Sequence, residues 1–240
     1  MIILEDVTKQ YNEQKGIYHI TAQIKEGNII GLVGPNGAGK TTTISMLMGI
    51  LKKTSGKIVI DGMEMNEEAI ALKAKIGYVS DDENQLLSLK AIEYLNFAAD
   101  MYRVSEKERK NKIIELSEIF EIQNELNQRM DQFSKGMKQK IMIMASLLHS
   151  PKIWILDEPF NGLDPKIVFV LKEFMKEYAS KGNTIILSSH ALDIIENLCD
   201  EVMFINRGSL IYKGTLDELK EKYPMQDTLE KIYMKVFKNE

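Results

Sequence analysis

The architecture of this chain follows from one stretch of its sequence, IIGLVGPNGAGKTT at residues 29–42. The first five residues are continuously apolar, which is typical of a strand buried on both faces of a parallel sheet. The next eight match the P-loop pattern G-x-x-x-x-G-K-[ST] at every fixed position, and a helical stretch runs from Lys40 to about Gly49. A strand, a glycine-rich turn and a helix in this order predict a phosphate-binding loop within an α/β fold.

The glycines of this loop matter because backbone N–H groups converge on phosphate oxygens only where no side chain obstructs them. The positive end of the following helix strengthens the same anion site. We expect Lys40 to reach the β- and γ-phosphates of a nucleotide and the Thr41 hydroxyl to bind Mg²⁺. The residues predicted to hold the nucleotide in this stretch are Gly34, Pro35, Asn36, Gly37, Ala38, Gly39, Lys40, Thr41 and Thr42.

A second apolar strand ends in two acidic residues, in the sequence IWILDE at 153–158. A carboxylate at the end of a buried strand can lie beside the phosphates, so Asp157 is a predicted Mg²⁺ partner. Glu158 is then placed to polarise a water molecule for in-line attack on the γ-phosphate. The alternative is an ordinary strand with a solvated acidic end, and the neighbouring P-loop makes that interpretation weaker.

The remaining pattern predicts an α/β core that is interrupted by helices. Apolar residues at helical spacing, rich in Glu, Lys, Leu, Ile and Met, indicate several helices over about 86–148. Strands that alternate with helices after this segment predict a parallel sheet with crossover connections. The predicted strands are 2–7, 19–24, 29–33, 58–60, 153–156, 184–187, 201–205 and 209–213, and further helices are expected at 166–179 and 192–198.

Composition limits the classes of protein that remain. The chain is 44% hydrophobic and 28% charged, which is ordinary for a globular protein. Its single cysteine, Cys199, has no partner for an internal disulfide, so we expect a reducing compartment. A net charge of −4 argues against a dedicated nucleic-acid binder. No stretch is long and apolar enough to span a bilayer, and we expect no secretory signal at the N-terminus.

Three further motifs follow the P-loop in a characteristic order. They are FSKGM at 133–137, NGLD at 161–164 and His190 after the predicted strand at 184–187. With the two phosphate-site motifs they resemble the nucleotide-binding subunits of ABC transporters, and the resemblance runs collinearly from about residue 2 to residue 213. None of these motifs is specific alone, but their order is.

The resemblance implies roles for further residues. Ser134, Lys135, Gly136 and Met137 occupy the signature segment, which acts on the nucleotide bound by a partner subunit. Asp164 belongs to the D-loop, and His190 corresponds to the histidine that contacts the γ-phosphate and attacking water. Tyr11 stands where the family stacks an aromatic ring on adenine, although a surface tyrosine in a turn stays an open alternative because Tyr18 is nearby.

Two departures from the family pattern are visible. Asp81 takes the position of the usual Q-loop glutamine and is followed by Asp82 and Glu83. We hypothesise that Asp81 contributes to the metal site and raises the Mg²⁺ requirement, and a simply solvated acidic turn is the alternative. The signature carries Lys135 in place of a glycine and Met137 in place of a glutamine, with a helix expected from Lys138.

These signature residues and a short helix expected at 227–233 are similar to the ABC-2 branch, whose permeases are mostly exporters. The methionines Met137, Met142 and Met144 invite a copper-binding interpretation, but their helical spacing favours core packing.

The predicted fold is therefore a P-loop NTPase core with a parallel sheet, a small N-terminal antiparallel β part and an inserted α-helical subdomain. We expect residues 1–80 and 151–215 to form the core, 81–150 the helical subdomain and 216–240 a helical tail. The resemblance implies an ATP- and Mg²⁺-dependent ATPase, with Glu158 and His190 catalytic, that dimerises on ATP with an identical or related subunit.

The resemblance implies that such a subunit drives a separate membrane permease and receives a permease helix in a groove formed by residues from about 86 to 103. The alternative for these residues is an amphipathic helix that packs against its own domain. No nucleic-acid partner is expected, and the expected location is cytoplasmic, at the inner face of the membrane. Two alternatives stay open at this point. One is a non-transport ABC ATPase acting in DNA repair or translation, and the other is a monomeric P-loop kinase or GTPase.

Overall fold

Two β-sheets form the frame of the molecule. The computed structural model describes residues 1–12, 15–82, 88–224 and 228–237. The smaller sheet is antiparallel throughout, with the strand order β2-β1-β4-β5. Its strands are β1 (Ile2–Gln10), β2 (Gly16–Ile24), β4 (Ser55–Ile60) and β5 (Met63–Glu64). The sequence predicted this antiparallel part but not the two-residue strand β5.

The larger sheet has the strand order β10-β9-β3-β8-β7-β6. Its strands are β3 (Ile29–Val33), β6 (Ile76–Val79), β7 (Ile153–Asp157), β8 (Thr184–Ser188), β9 (Glu201–Asn206) and β10 (Ser209–Thr215). Five of them are parallel; four of these were predicted and β6 was not, and β10 runs antiparallel to β9. The reason is the connection: only Arg207 and Gly208 join the two strands, both with positive φ. A two-residue turn of this kind builds a hairpin.

Helices cover the larger sheet and extend beyond it. They are α1 (Lys40–Leu47), α2 (Ile70–Lys73), α3 (Ala91–Met101), α4 (Glu106–Ile119), α5 (Lys135–Leu147), α6 (Pro165–Ser180), α7 (Leu192–Leu198), α8 (Leu216–Lys222) and α9 (Leu229–Phe237). The helices α3, α4 and α5 lie between β6 and β7, which confirms the predicted helical insertion. None of the helices in the described part of the chain is long and apolar enough to cross a membrane.

The ends of several elements differ from the sequence predictions. Helix α5 begins at Lys135 rather than Lys138, because the Ser134 hydroxyl accepts the backbone N–H of Met137 and caps the helix at that point. The short helix α2 was not predicted. The predicted starting points at residues 86 and 227, and also Glu83, lie outside the described residues.

Strands β3, β7, β8 and β9 of the larger sheet are buried at every residue, which explains their continuous apolar runs, whereas β10 is partly exposed. In β3, Ile29 and Val33 face the core beneath the helices, whereas Ile30 and Leu32 pack toward the smaller sheet. The fully buried Trp154 lies on the helical side. On that side Met142 and Met144 are buried and Met137 packs partly against them, so the methionine-rich stretch fills the core.

Candidate active site

Three neighbouring strands bring the predicted site residues to one edge of the larger sheet. Strands β3, β8 and β7 are adjacent and parallel, so their carboxyl ends lie together. The P-loop follows β3, Asp157 ends β7, and His190 comes two residues after β8. Open α/β sheets bind ligands at this edge. The fold therefore brings together segments that are far apart in the sequence.

The loop after β3 has the shape that an anion site requires. A Cβ atom on Gly34 would lie 2.1 Å from the carbonyl oxygen of Ile205, so no other residue fits there. Gly37 and Gly39 have φ values of +78° and +111°, in the region that favours glycine. Helix α1 starts directly after Gly39 without a side-chain cap, which leaves its first N–H groups available to a ligand.

Lys40 is held inside this loop. Its ammonium group donates to the carbonyl oxygens of Gly34 at 2.7 Å and Pro35 at 3.1 Å, and the side chain is buried. Burial lowers the pKa of Lys40, and the negative charges of Glu158 and Asp157 oppose that shift. Both of these contacts are to neutral carbonyl oxygens, and an ammonium group has three N–H donors, so Lys40 has a donor to offer an incoming phosphate. Asn36 and Gly37 are exposed at the tip of the loop, and Thr42 is half-buried.

Asp157 is the centre of a second group of contacts. Its Oδ2 atom accepts a hydrogen bond from the Thr41 hydroxyl at 3.0 Å, and its Oδ1 atom accepts one from the Ser188 hydroxyl. Sequence reasoning missed Ser188. The signal was present in the strand pairing, because Asp157 and Ser188 are direct partners in register between β7 and β8.

Thr41 and Asp157 fit a magnesium ion that shares its ligands with a nucleotide. In the described part of the chain no group of three His, Cys, Asp or Glu side chains forms a self-sufficient metal site. Magnesium does not need one, because it usually takes one or two protein oxygens and completes its shell with water and substrate phosphates. One hydroxyl and one carboxylate next to an anion-binding loop meet that requirement.

Glu158 and His190 form the other half of the site. The backbone N–H of His190 donates to Oε2 of Glu158 at 3.3 Å, and the ring atom Nε2 lies 3.3 Å from Oε1. Oε1 is buried and has no hydrogen-bond donor among the described residues. Burial is the largest cause of the raised pKa of Glu158. The result is a carboxylate with one unsatisfied oxygen, which suits it to accept a proton from water.

The signature segment lies against the D-loop of the same chain. A Cβ on Gly136 would lie 2.4 Å from the carbonyl oxygen of Gly162, and the Lys135 side chain covers Gly162. Ser134 and Lys135 are exposed. The D-loop residue Asp164 caps α6 by accepting the backbone N–H of Ile167 at 3.1 Å. The structure thus brings signature and D-loop together, with Ser134 and Lys135 on the surface.

Asp81 and Tyr11 lie at the margins of this arrangement. Asp81 is exposed, and its Oδ1 accepts a hydrogen bond from the Asn161 side chain at 3.4 Å. Tyr11 is half-exposed, with the Lys9 ammonium 5.4 Å from its ring centre. Tyr18 is tied to the P-loop more directly, because its N–H donates to Gly208, whose own N–H donates to Ala38. The choice between the two tyrosines for an adenine contact stays a prediction.

Comparison with known proteins identifies related sequences. The family model described as "ABC transporter" matches residues 17–161. The chain is 34% identical to the ABC transporter ATP-binding protein NatA of Bacillus subtilis (strain 168), covering 98% of this chain and 97% of that protein. It is 39% identical to the bacitracin transport ATP-binding protein BcrA of Bacillus licheniformis, covering 90% of this chain and 70% of that protein.

Solved structures show the same architecture. An ATP-binding subunit of an ABC transporter superposes with a TM-score of 0.91 at 32% identity and covers 98% of both chains. A dimeric ATP-binding cassette in a post-hydrolysis state, bound to ADP and phosphate, gives a TM-score of 0.79 at 27% identity. That match covers 90% of this chain and 99% of the other. These matches confirm the predicted P-loop NTPase fold.

Proposed function

Because this chain belongs to the ABC transporter family as an ATP-binding and ATP-hydrolysing subunit, we propose that it hydrolyses Mg²⁺-ATP at the site around Lys40 and Asp157 and so drives a separate membrane permease. The observation that carries the proposal is the hydrogen bond between Thr41 and Asp157, next to the buried ammonium group of Lys40. It joins the anion-binding loop to the acidic strand end in one site.

The proposed roles follow from the contacts. Lys40 and the N–H groups that begin α1 bind the β- and γ-phosphates, and Thr41 and Asp157 hold Mg²⁺. Held by these two residues, Mg²⁺ would supply positive charge to offset the charge that develops on the phosphates. Glu158 accepts the proton of the attacking water through Oε1, which receives no hydrogen bond from the described residues, and the His190 ring beside it binds the γ-phosphate or that water.

Each site is completed by a second subunit. Ser134, Lys135, Gly136 and Met137 open helix α5, whose N-terminus offers N–H groups and a positive dipole to a phosphate. Ser134 is exposed, and its hydroxyl oxygen acts as an acceptor in the helix cap. The cap therefore does not use the hydroxyl hydrogen, which can donate to a phosphate. We propose that this segment, with Asp164, contacts the nucleotide of the partner. ATP then acts as part of the dimer interface.

A test of the ATPase site compares three forms of the purified chain. The wild type should release phosphate from ATP only when Mg²⁺ is present. The Lys40→Ala variant should lose ATP binding, because it removes the cation inside the loop. Ile114→Asp changes an exposed residue of α4 and serves as a control that substitution and purification do not by themselves abolish ATP binding. Full ATP affinity in the Lys40→Ala variant would contradict the assignment of the phosphate site.

The permease is proposed to bind an apolar groove between α2 and α3. The groove has a volume of about 860 Å³, and its lining includes the exposed side chains of Ile70, Phe97 and Met101 together with Tyr102. Exposed large apolar side chains gathered in one groove mark an interaction site. The part of residues 86–103 that is described, from residue 88 onward, supplies one wall, as the family resemblance implies.

The groove offers a matched pair of variants for testing. Phe97 is 49% exposed inside the groove, and Ile114 is 48% exposed on α4 outside it. Purification of the tagged chain from its native membranes in mild detergent should recover a membrane protein with many spanning helices. Phe97→Asp should abolish that recovery and Ile114→Asp should retain it. Equal recovery with both variants would contradict docking in the groove.

We further propose export as the direction of transport and the inner face of the membrane as the place of action. The similarity to a bacitracin transport protein and the altered signature with Lys135 and Met137 support this proposal. An extracytoplasmic solute-binding protein in the purified complex would contradict it. The relatives described above are ABC transporter proteins, so a role in DNA repair or translation is not proposed.

A further inference from the structure

A buried glutamine connects the signature helix to the segment that carries Glu158. Gln139 lies in α5 and is only 3% exposed. Its side-chain amide donates a hydrogen bond to the carbonyl oxygen of Pro159 at 3.1 Å. Pro159 directly follows Glu158, so this bond ends one residue away from the proposed catalytic carboxylate. A buried side chain that makes such a contact fixes the backbone to which it is bonded.

The backbone at Glu158 needs this support. Glu158 has a φ of +50°, a left-handed conformation that residues other than glycine rarely adopt. Proline at the next position restricts its backbone further. Strained residues of this kind persist only where the surrounding structure holds them, and they gather at active sites.

Among the described residues, three hydrogen bonds reach the backbone of Glu158 and Pro159. The N–H of Glu158 donates to Ser188 at 3.0 Å, the N–H of Asn161 donates to the Glu158 carbonyl at 3.2 Å, and Gln139 supplies the third bond. The first two come from the core sheet and from the segment itself. Only the Gln139 bond comes from α5, the helix that begins at the signature. Gly136, at the start of the same helix, touches Gly162 in the same segment.

We propose that Gln139 is a positioning residue: through the Pro159 carbonyl it holds Glu158 in its left-handed conformation and ties it to the signature helix of the same subunit. The proposal rests on the proposed role of Glu158 as the base. A consequence follows for the dimer. When the signature segment of one subunit closes on the partner's nucleotide, it acts on Glu158 of its own subunit. The two sites of a dimer are thereby coupled through one side chain.

The test removes the amide from Gln139 and compares the effect with the loss of a similar bond elsewhere. Asn183 is also buried, and its side-chain amide donates to the Tyr178 carbonyl at 3.0 Å. It directly precedes β8 and so lies at the amino ends of the parallel strands, whereas Glu158 lies at their carboxyl ends. Gln139→Met and Asn183→Leu therefore each delete one amide-to-carbonyl bond of the same kind. ATP turnover, ATP affinity and hydrogen exchange are measured on the full-length chain, with Glu158→Gln in parallel.

We expect Gln139→Met to lower kcat about tenfold with KM changed by less than about twofold, as for the loss of one group that acts in the transition state. The amide hydrogens of Glu158 and Asn161 should exchange about tenfold faster, and Asn183→Leu should change neither kcat nor these rates. Should Gln139→Met fail to fold, Gln139→Asn keeps the amide but shortens its reach by one methylene, and the same losses are expected.

Other outcomes overturn the inference in distinguishable ways. If Gln139→Met hydrolyses ATP like the wild type while Glu158→Gln is inactive, Gln139 does not position the base and the proposed function stands. If Gln139→Met and Asn183→Leu lose the same activity, the effect is a general loss of stability. If Glu158→Gln keeps wild-type turnover, the role of Glu158 fails and the inference fails with it.

Discussion

The Thr41 hydroxyl donates a hydrogen bond to Oδ2 of Asp157 at 3.0 Å, although 116 residues separate the two in the sequence. The bond connects the first turn of α1 to the end of β7. Both groups are oxygen ligands of the kind that Mg²⁺ prefers. The two residues proposed to hold Mg²⁺ therefore already lie side by side.

The first prediction concerns this pair. Thr41→Ala removes the hydroxyl and leaves the phosphate loop intact, so the Mg²⁺ concentration that gives half-maximal hydrolysis should rise about tenfold, the effect of a single lost ligand contact worth about 1.4 kcal/mol. A titration of hydrolysis against free Mg²⁺ at saturating ATP measures the change. An unchanged titration curve would remove Thr41 from the metal site.

The second prediction separates turnover from stability at Glu158. Glu158→Gln should bind ATP normally but lose about 10²- to 10⁴-fold in turnover, the range that general-base catalysis contributes. The same variant should be more stable than the wild type at pH 7 to 8, with a higher Tm. Calorimetry and a phosphate-release assay on the same preparation measure both effects.

The stability gain follows from the sign of the pKa shift. Burial raises the pKa of Glu158, so the folded protein holds that proton at higher pH than the unfolded chain. Folded-state stability therefore falls as pH rises from the unfolded value of 4.5 through the raised one. Above that window the buried carboxylate is ionised at a cost, and the neutral glutamine avoids it. A variant no more stable at pH 8 than the wild type would contradict this account.

The third prediction addresses the acidic residue at the Q-loop position. The pKa of the nearby Tyr78 phenol is raised by burial above all, and the negative charges of Asp157 and Asp81 raise it further. Asp81→Gln removes one of these charges. If the negative charge of Asp81 near the γ-phosphate raises the Mg²⁺ requirement, the variant should hydrolyse ATP at a lower Mg²⁺ concentration than the wild type. Asp82→Asn, which removes the same charge one residue further on, is the control. Identical Mg²⁺ dependence in Asp81→Gln and wild type would support a solvated turn.

The fourth prediction concerns stability in acid. His149 stacks on Tyr102 with ring centres 3.6 Å apart, and burial lowers the pKa of its imidazole to about 4. Because the unfolded value is 6.5, the folded protein is expected to lose stability as pH falls from about 6.5 toward 4. Between pH 7 and pH 5.5 this single group should account for about 1 kcal/mol of lost stability.

Urea denaturation of the wild type and of His149→Phe at these two pH values measures the effect. The phenylalanine ring can keep the stack on Tyr102 but carries no titrating group. The difference in unfolding free energy between the two pH values should therefore be about 1 kcal/mol smaller in the variant. An equal pH dependence in both proteins would show that His149 is not the group responsible.

The sequence by itself determined the P-loop, the acidic strand end and the order of the later motifs, because each depends on residues that are adjacent in the chain. The glycine pattern at 34–39 specifies its own backbone conformation, and the apolar run before it needs burial on both sides. These local constraints were sufficient to predict the nucleotide-binding fold and the residues around Lys40.

Only the tertiary structure revealed the contacts made between strands and helices that are distant in sequence. Ser188 meets Asp157 because β8 pairs with β7 in one register, and Gln139 meets Pro159 because α5 packs beside the end of β7. Neither residue type carries a motif that would mark it out in advance. The left-handed backbone at Glu158 is also a property of the fold, because hydrogen bonds from β8 and α5, both distant in sequence, help to hold it.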